Sequence, residues 1–248
     1  MNPKTLIQIG CNTGDEYVCK LIVDKKIEQV IFIDANINAL KKCQLYHKEY
    51  FSSKTHQPKL DYINGAISTV DKEKKPYIDF YIPTNNSESG HASLDATVVA
   101  NQSKLNDQNK ELTTIQVQNI NIIDIFETYK LNSIEYLITD IEGIDYFIAR
   151  QLYNEGYLIP MVPADSISVD KFGRKSFSQI RNAKIDIKNY QFEFTHWGGF
   201  QQYESEKTRK ELGYFLYMLI NHGYTIYKSS ATDILITKEP ISTYIQSV

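Results

Sequence analysis

Residues 9–14, with the sequence IGCNTG, directly follow a short apolar run and have an informative spacing of turn residues. Gly10, Asn12 and Gly14 stand at relative positions one, three and five, whereas a dinucleotide fingerprint needs glycines at one, three and six. Asn tolerates the left-handed backbone that such a turn can demand. No Lys follows Gly14, which disfavours a phosphate-binding loop. The pattern predicts either a turn passing closely under a nucleoside without a pyrophosphate or an ordinary strand-to-helix turn.

Two further strand ends carry residues that suit a nucleoside. Asp34 ends the second apolar run, about 20 residues after Gly14, where a carboxylate can accept hydrogen bonds from both ribose hydroxyls. The alternative is that Asp34 caps the helix expected to begin near Asn38. Residues 64–66 end a third run, and their small side chains leave room for an adenine ring. Because parallel strands end at one edge of a sheet, we expect these three segments to form a nucleoside site.

Acidic side chains and a histidine follow two later strands. Asp140 and Glu142 come directly after a buried run, and Glu193 and His196 lie near the end of another. Any of the four could act as the general base that removes a proton from a hydroxyl. Asp140 is the first choice, whereas Glu142 fits a charge partner of the next helix equally well, and a lone His is more often structural. No ligand spacing demands a cation, so no metal is predicted.

Strand-like and helix-like segments alternate along the chain. Strands are predicted at about residues 5–9, 29–33, 60–63, 77–82, 112–117, 134–139, 190–195, 224–228 and 234–237. Helices are predicted at about 15–26, from 38 onward, and at 122–129, 144–154 and 204–222, with at most one short helix in the polar stretch 83–109. This alternation is typical of an α/β fold with a largely parallel sheet. The last two strands are expected to be antiparallel members of it.

No repeat or linker divides the sequence, so we expect one domain over residues 1–248 with an insert at about 155–183. The insert could be a lid or an acceptor-binding segment, since loops at that edge of the sheet shape specificity. The alternative is a solvated excursion or a contact between copies of a homo-oligomer.

The composition narrows the class of protein. The chain has 248 residues, of which 42% are hydrophobic and 23% charged, and this excludes disordered, collagen-like and coiled-coil proteins. The formal net charge of −3 argues against a nucleic-acid partner. The three cysteines form no CxxC pair, which favours a reducing, cytoplasmic setting. No apolar run is long enough to span a bilayer, so no membrane partner is expected.

The motifs GCNTGD, FIDANINAL, INGAIS, GHASL, NIIDIF and YLITDIEGIDYFI, in this order over about residues 6–152, resemble the FkbM-type S-adenosylmethionine-dependent methyltransferases. The resemblance implies a class I methyltransferase (Rossmann-like) α/β fold, with a seven-stranded, mostly parallel sheet and helices on both faces. It also implies S-adenosylmethionine as cofactor and O-methylation of a carbohydrate or related small molecule. The cofactor residues it implies are Gly10, Cys11, Asn12, Gly14, Asp34, Ala35, Asn64, Gly65, Ala66, Ser93 and Asp140.

Two other functions are compatible with the same motifs. One is a nucleic-acid methyltransferase of the RNA cap type, against which the near-neutral charge argues. The other is a non-catalytic nucleoside-binding protein that kept the fold. The joint presence of GCNTGD, Asp34 and DIEG argues against that second alternative.

Overall fold

The structure is a computed structural model, and it describes residues 3–84, 92–105, 111–142, 144–158, 167–169, 175–177, 183–193, 206–228 and 233–238. The strands are β1 (Thr5–Ile9), β2 (Gln29–Asp34), β3 (Lys59–Asn64), β4 (Ala66–Ile67), β5 (Tyr77–Pro83), β6 (Leu112–Ile120), β7 (Ser133–Thr139), β8 (Ile167–Val169), β9 (Lys175–Phe177), β10 (Asp186–Glu193), β11 (Thr225–Lys228) and β12 (Asp233–Thr237). The helices are α1 (Glu16–Asp24), α2 (Ile37–Ser52), α3 (Ala96–Leu105), α4 (Ile122–Thr128), α5 (Asp145–Asn154) and α6 (Glu206–Asn221).

Seven strands form the central sheet, in the order β3-β2-β1-β7-β10-β12-β11. The first five are parallel to one another. Strand β12 is antiparallel to β10, and β11 pairs antiparallel with β12. Numbered within this sheet, the order is 3-2-1-4-5-7-6. Seven strands, five of them parallel and the last two antiparallel, confirm the class I methyltransferase (Rossmann-like) fold that the resemblance implies. The strand order reverses beside β1, and ligands bind such folds in the crevice at that point.

Helices cover both faces of the sheet. Successive residues of a strand point to opposite faces, so a strand that is apolar throughout, such as β1, needs a packing partner on each side. Leu6 of β1 packs in an apolar core with residues of α1 and α2. Its neighbour Ile7 belongs to the other core, which contains residues of α4, α5 and α6. Both faces of β1 are therefore buried, and only the strand ends are open to a ligand.

The spacing of its apolar residues decides which face of α2 is buried. Leu45 lies off that face and is 67% exposed. Leu40, Cys43 and His47 follow the helical spacing of three and four residues and occupy the inner face instead. The imidazole of His47 lies against the Phe32 ring, with 4.2 Å between their centroids.

A second, smaller sheet stands beside the crevice. Strands β5 and β6 form an antiparallel pair, and β4 joins β6 in parallel. Helix α3 occupies ten residues of the stretch for which the sequence predicts at most a short helix. Within the insert, β8 and β9 pair antiparallel. No helix in the described part of the chain combines the length and apolar character needed to cross a membrane.

Candidate functional site

A cavity of about 240 Å³ lies at the carboxyl ends of the parallel strands. Eight of the residues singled out in the sequence line it: Gly10, Asn12, Asp34, Ala35, Gly65, Ala66, Asp140 and Glu142. The rest of its wall consists of Ile9, Ile33, Asn36, Ala39, Ile67, Phe80, Ala92, Leu94, Ile141 and Ile144. The structure therefore brings together the turn, the carboxylate and the small residues that follow three separate strands.

The turn after β1 has a left-handed backbone at the three predicted positions. The φ angles of Gly10, Asn12 and Gly14 are 81°, 46° and 103°. A Cβ atom on Gly10 would lie 1.9 Å from the carbonyl oxygen of Asp140, and one on Gly14 would lie 2.5 Å from the ring of Tyr46. Glycine is required at both positions because the backbone conformation and the close packing both exclude a side chain.

Asp34 is held by backbone amides on two sides. Its Oδ2 accepts a hydrogen bond from the Asn12 amide at 2.8 Å, and its Oδ1 accepts one from the Asn36 amide at 2.7 Å. The alternative role as a helix cap is wrong, because the side chain of Asn36 caps α2. Burial raises the pKa of Asp34 to about 6, although both amides favour its charged form. Each carboxylate oxygen keeps another lone pair for a ligand hydroxyl.

The far end of the cavity is apolar and is built from small residues and one ring. Ala35 and Ala66 form part of its wall, and Phe80 and Leu94 close it from the side of the small sheet. A Cβ atom on Gly65 would lie 2.4 Å from a side-chain carbon of Ile120, so the backbone is closely packed there. The sequence does not single out Phe80. The only indication of its position is the alternation of apolar and polar residues along β5, which places Phe80 on the buried face.

Four predicted cofactor residues lie outside the cavity wall. Cys11 is buried in the core between the sheet and helices α1 and α2. Gly14 closes the turn through its amide, which donates to the carbonyl of Cys11. The amide of the Asn64 side chain donates to the carbonyl oxygens of Asp34 and Ala35. The fourth is Ser93, and its hydroxyl donates to the Glu142 carbonyl.

Three carboxylates meet beyond β7 and β10. Oxygen atoms of Asp140, Glu142 and Glu193 lie within 4.8 Å of one another. The pKa of Asp140 is raised to about 7. The largest cause is the loss of hydration of the carboxylate, followed by repulsion from the negative charges of Glu142 and Glu193 and by smaller effects of Asp233 and Asp15. The side chain of Asp140 is exposed within the crevice, so the pKa reflects restricted hydration rather than complete burial.

A carboxyl group with this pKa can exchange a proton near neutral pH. The three carboxylates are also close enough to share one divalent cation. The sequence predicts none, and that stays a prediction. The fourth catalytic candidate, His196, lies outside the described residues.

Asp145 lies behind the cavity wall, next to the carboxylate cluster, and the sequence does not single it out. It is the first residue of α5, its exposed fraction is 1%, and its Oδ2 accepts the Ile141 amide at 3.3 Å. Burial raises its pKa well above the ordinary value, and the charges of Asp140 and Glu193 raise it further. Burial therefore disfavours the charged form of the Asp145 carboxyl relative to an exposed one.

No protein-family model matches the chain, and no curated protein matches it. Among solved structures, the chain is similar to a human methyltransferase 10 domain containing protein, with a TM-score of 0.42 and 7% identity over 97% of this chain and 74% of that one. It is also similar to the methyltransferase domain of bacterial CtHen1-C, with a TM-score of 0.37 and 11% identity over 96% of this chain and 91% of that one. Both TM-scores lie below 0.5, so the fold rests on the strand order of the chain itself. Membership of the FkbM-type family stays a prediction.

Proposed function

We propose that the protein is an S-adenosylmethionine-dependent methyltransferase that transfers a methyl group to a hydroxyl of a carbohydrate or related small molecule. One observation carries the proposal: in a sheet with the class I methyltransferase order, the turn after β1 is bonded to Asp34 at the wall of the cavity. A turn without Lys and without the third fingerprint glycine suits a nucleoside that lacks a pyrophosphate.

Different parts of the cavity wall fit the ribose, the adenine and the methionine of this cofactor. Asp34 would accept the ribose hydroxyls, and the apolar end with Ala66 and Phe80 would hold the adenine. The turn at Gly10 and Asn12, where a Cβ atom on Gly10 would strike the Asp140 carbonyl, would hold the methionine end. S-Adenosylmethionine supplies an electrophilic methyl group on a sulfonium.

Asp140 has the position and the pKa of a general base. An acceptor hydroxyl must lose its proton as its oxygen bonds to the methyl carbon, and Asp140 would take that proton. A pKa of about 7 leaves a large fraction of this carboxyl ionised at neutral pH while keeping it more basic than an ordinary Asp. The Gly10 turn leaves no room for a side chain against the Asp140 carbonyl, and the Asp140 amide donates to the Ile9 carbonyl. Acceptor and methyl donor would therefore meet where these two segments adjoin.

The test has two steps on the full chain. Isothermal titration calorimetry with S-adenosylhomocysteine should show one binding site per chain, and absence of binding would contradict the proposal. Transfer of a radiolabelled methyl group is then measured on a panel of mono- and oligosaccharides and, separately, on capped RNA. Labelling of a sugar supports the proposed acceptor class, whereas labelling of RNA alone would replace it by the nucleic-acid alternative.

A further inference from the structure

We infer that Ser93, held by the small sheet, and Asp145, the first residue of α5, are positioning residues that clamp the loop between β7 and α5 and so hold Asp140 and Glu142 at the cavity. This inference rests on the proposed function for its catalytic consequence, but the clamp itself is a property of the chain and can be measured without a cofactor. Neither residue is part of the cavity wall.

Ser93 is fixed by hydrogen bonds of its own, so its hydroxyl can hold the loop in place. Its backbone forms two hydrogen bonds with Tyr81 of β5, at 2.9 and 3.1 Å. Its hydroxyl oxygen accepts the Asp95 amide at 3.0 Å, and the hydroxyl hydrogen is donated to the carbonyl of Glu142 at 2.8 Å. Only 1% of Ser93 is exposed, so water cannot easily replace this bond. The hydroxyl of Ser93 thus connects the small sheet to the loop.

Asp145 holds the preceding residue of the loop from the helix side. Its Oδ2 accepts the Ile141 amide, and the first helical position fixes the carboxyl beneath the loop. The side chain of the N-cap residue, Ile144, forms no capping hydrogen bond. The hydrogen bond from the Ile141 amide to Asp145 therefore ties the start of α5 to the loop without satisfying the amides of the first helical turn.

The loop needs such support because one of its residues has an unfavourable backbone conformation. Glu142 has a φ of 54°, in the left-handed region that non-glycine residues rarely adopt. Such a conformation is unfavourable for a residue with a side chain and persists where the surroundings impose it. The loop also supplies Asp140, Ile141 and Glu142 to the cavity wall. Relaxation at Glu142 would therefore displace the carboxyl groups at the place of reaction, where small displacements reduce rates strongly.

The clamp is tested by hydrogen–deuterium exchange, read by mass spectrometry on peptides that cover residues 138–146 of the full chain. In Ser93→Ala and in Asp145→Ala we expect these amides to exchange about tenfold faster, which corresponds to one lost buried hydrogen bond. Asp145→Asn should behave like the unchanged protein, because the side-chain oxygen of Asn can still accept the Ile141 amide and the two side chains have nearly the same shape.

Ser68→Ala is the matched control. The hydroxyl of Ser68 is also buried, accepts the amide two residues later at 3.1 Å, and donates to a single acceptor, Asn119, at 2.7 Å. Its loss should accelerate exchange around Ser68 and leave peptides 138–146 unchanged. If Ser93→Ala accelerates exchange no more than Ser68→Ala does in these peptides, the clamp is refuted.

The catalytic consequence is read separately. Once an acceptor substrate has been identified, kcat is measured for each variant and for the unchanged protein. We expect kcat of Ser93→Ala to be at least about tenfold lower than that of the unchanged protein, and kcat of Asp145→Asn to stay within about threefold of it. Faster loop exchange with unchanged kcat would overturn the positioning role. A protein that shows the exchange pattern but binds no S-adenosylhomocysteine would instead refute the proposed function and leave the clamp in place.

Discussion

The backbone amide of Asn12 donates a 2.8 Å hydrogen bond to Oδ2 of Asp34, joining the turn after β1 to the end of the neighbouring strand β2. The other carboxylate oxygen accepts the Asn36 amide at the start of α2. One buried carboxylate thus sets the positions of two backbone segments that line the cavity. Asp34 therefore has a structural role in addition to any contact with a ligand.

Replacing Asp34 with Ala should weaken binding of S-adenosylhomocysteine at least about 30-fold. The variant loses the proposed hydrogen bonds between the carboxylate and the ribose, each worth about 1.5–3 kcal/mol, and it frees the Asn12 amide. The measurement is isothermal titration calorimetry. Asp61→Ala is the control, because Asp61 lies on the adjacent strand β3 and binds the exposed Lys59 outside the cavity. Equal losses in the two variants would contradict the proposed ribose contact.

Gly10→Ala should destabilise the protein by more than about 2 kcal/mol, because the new Cβ atom would lie 1.9 Å from the Asp140 carbonyl oxygen at a φ of 81°. Urea unfolding measures the change. Gly213→Ala offers the opposite case within the same chain. Beyond the adjacent backbone of α6 itself, no atom of the described residues lies within 4 Å of a Cβ atom built there, in the middle of the helix. That variant should gain about 0.5–1 kcal/mol from helix propensity, and a comparable loss at both positions would refute the steric explanation.

The ends of the buried parallel strands could be predicted from the sequence. Strands covered on both faces are continuous apolar runs, and the residues that stop them, such as Gly10, Asp34 and Asp140, are polar or small. Since parallel strands end at one edge, their meeting at a cavity follows from the order of the elements alone. The prediction succeeds here because it requires only local patterns and one topological rule.

Phe80 and Asp145 could not be found in the same way. Phe80 reaches the cavity because the β5–β6 pair lies beside the central sheet, and that placement depends on contacts between residues far apart in sequence, such as the pairing of Tyr81 with Ser93. Asp145 looks like an ordinary acidic residue in a first helical turn, which is usually exposed. Its burial is a tertiary effect of the loop and of β10, whose Tyr190 lies nearby.

Phe80→Ala should weaken binding of S-adenosylhomocysteine about tenfold by removing the ring that closes the apolar end of the cavity. Ile82→Ala is the matched control, since Ile82 lies on the same buried face of β5 and in the same apolar cluster but outside the cavity wall. Both variants should lose about 2–4 kcal/mol of unfolding free energy. Calorimetry at a temperature where both are folded separates the two effects, and equal affinities would contradict the adenine contact.

The rate of methyl transfer should rise with pH around a midpoint near 7, because Asp140 must be deprotonated to accept the hydroxyl proton. Glu193→Gln removes a negative charge that raises the pKa of Asp140, so the midpoint should move to lower pH while transfer persists. Asp140→Asn should lower kcat at least about 100-fold. If Glu142→Gln instead abolishes transfer and Asp140→Asn does not, Glu142 is the base.

Asp140 should also make the protein less stable as the pH rises. Its pKa is about 7 in the folded chain and about 3.9 in an unfolded one, so between these values the folded state binds more protons. The free energy of unfolding therefore falls from about pH 4 to about pH 7 and then levels off. Asp140→Asn removes this contribution, and the variant should be more stable than the unchanged protein at pH 8 but not at pH 4. Urea unfolding at both pH values measures the difference. A variant that is equally stabilised at pH 4 and pH 8 would contradict a raised pKa of Asp140 in the folded chain, because only the titration of this carboxyl makes its contribution depend on pH.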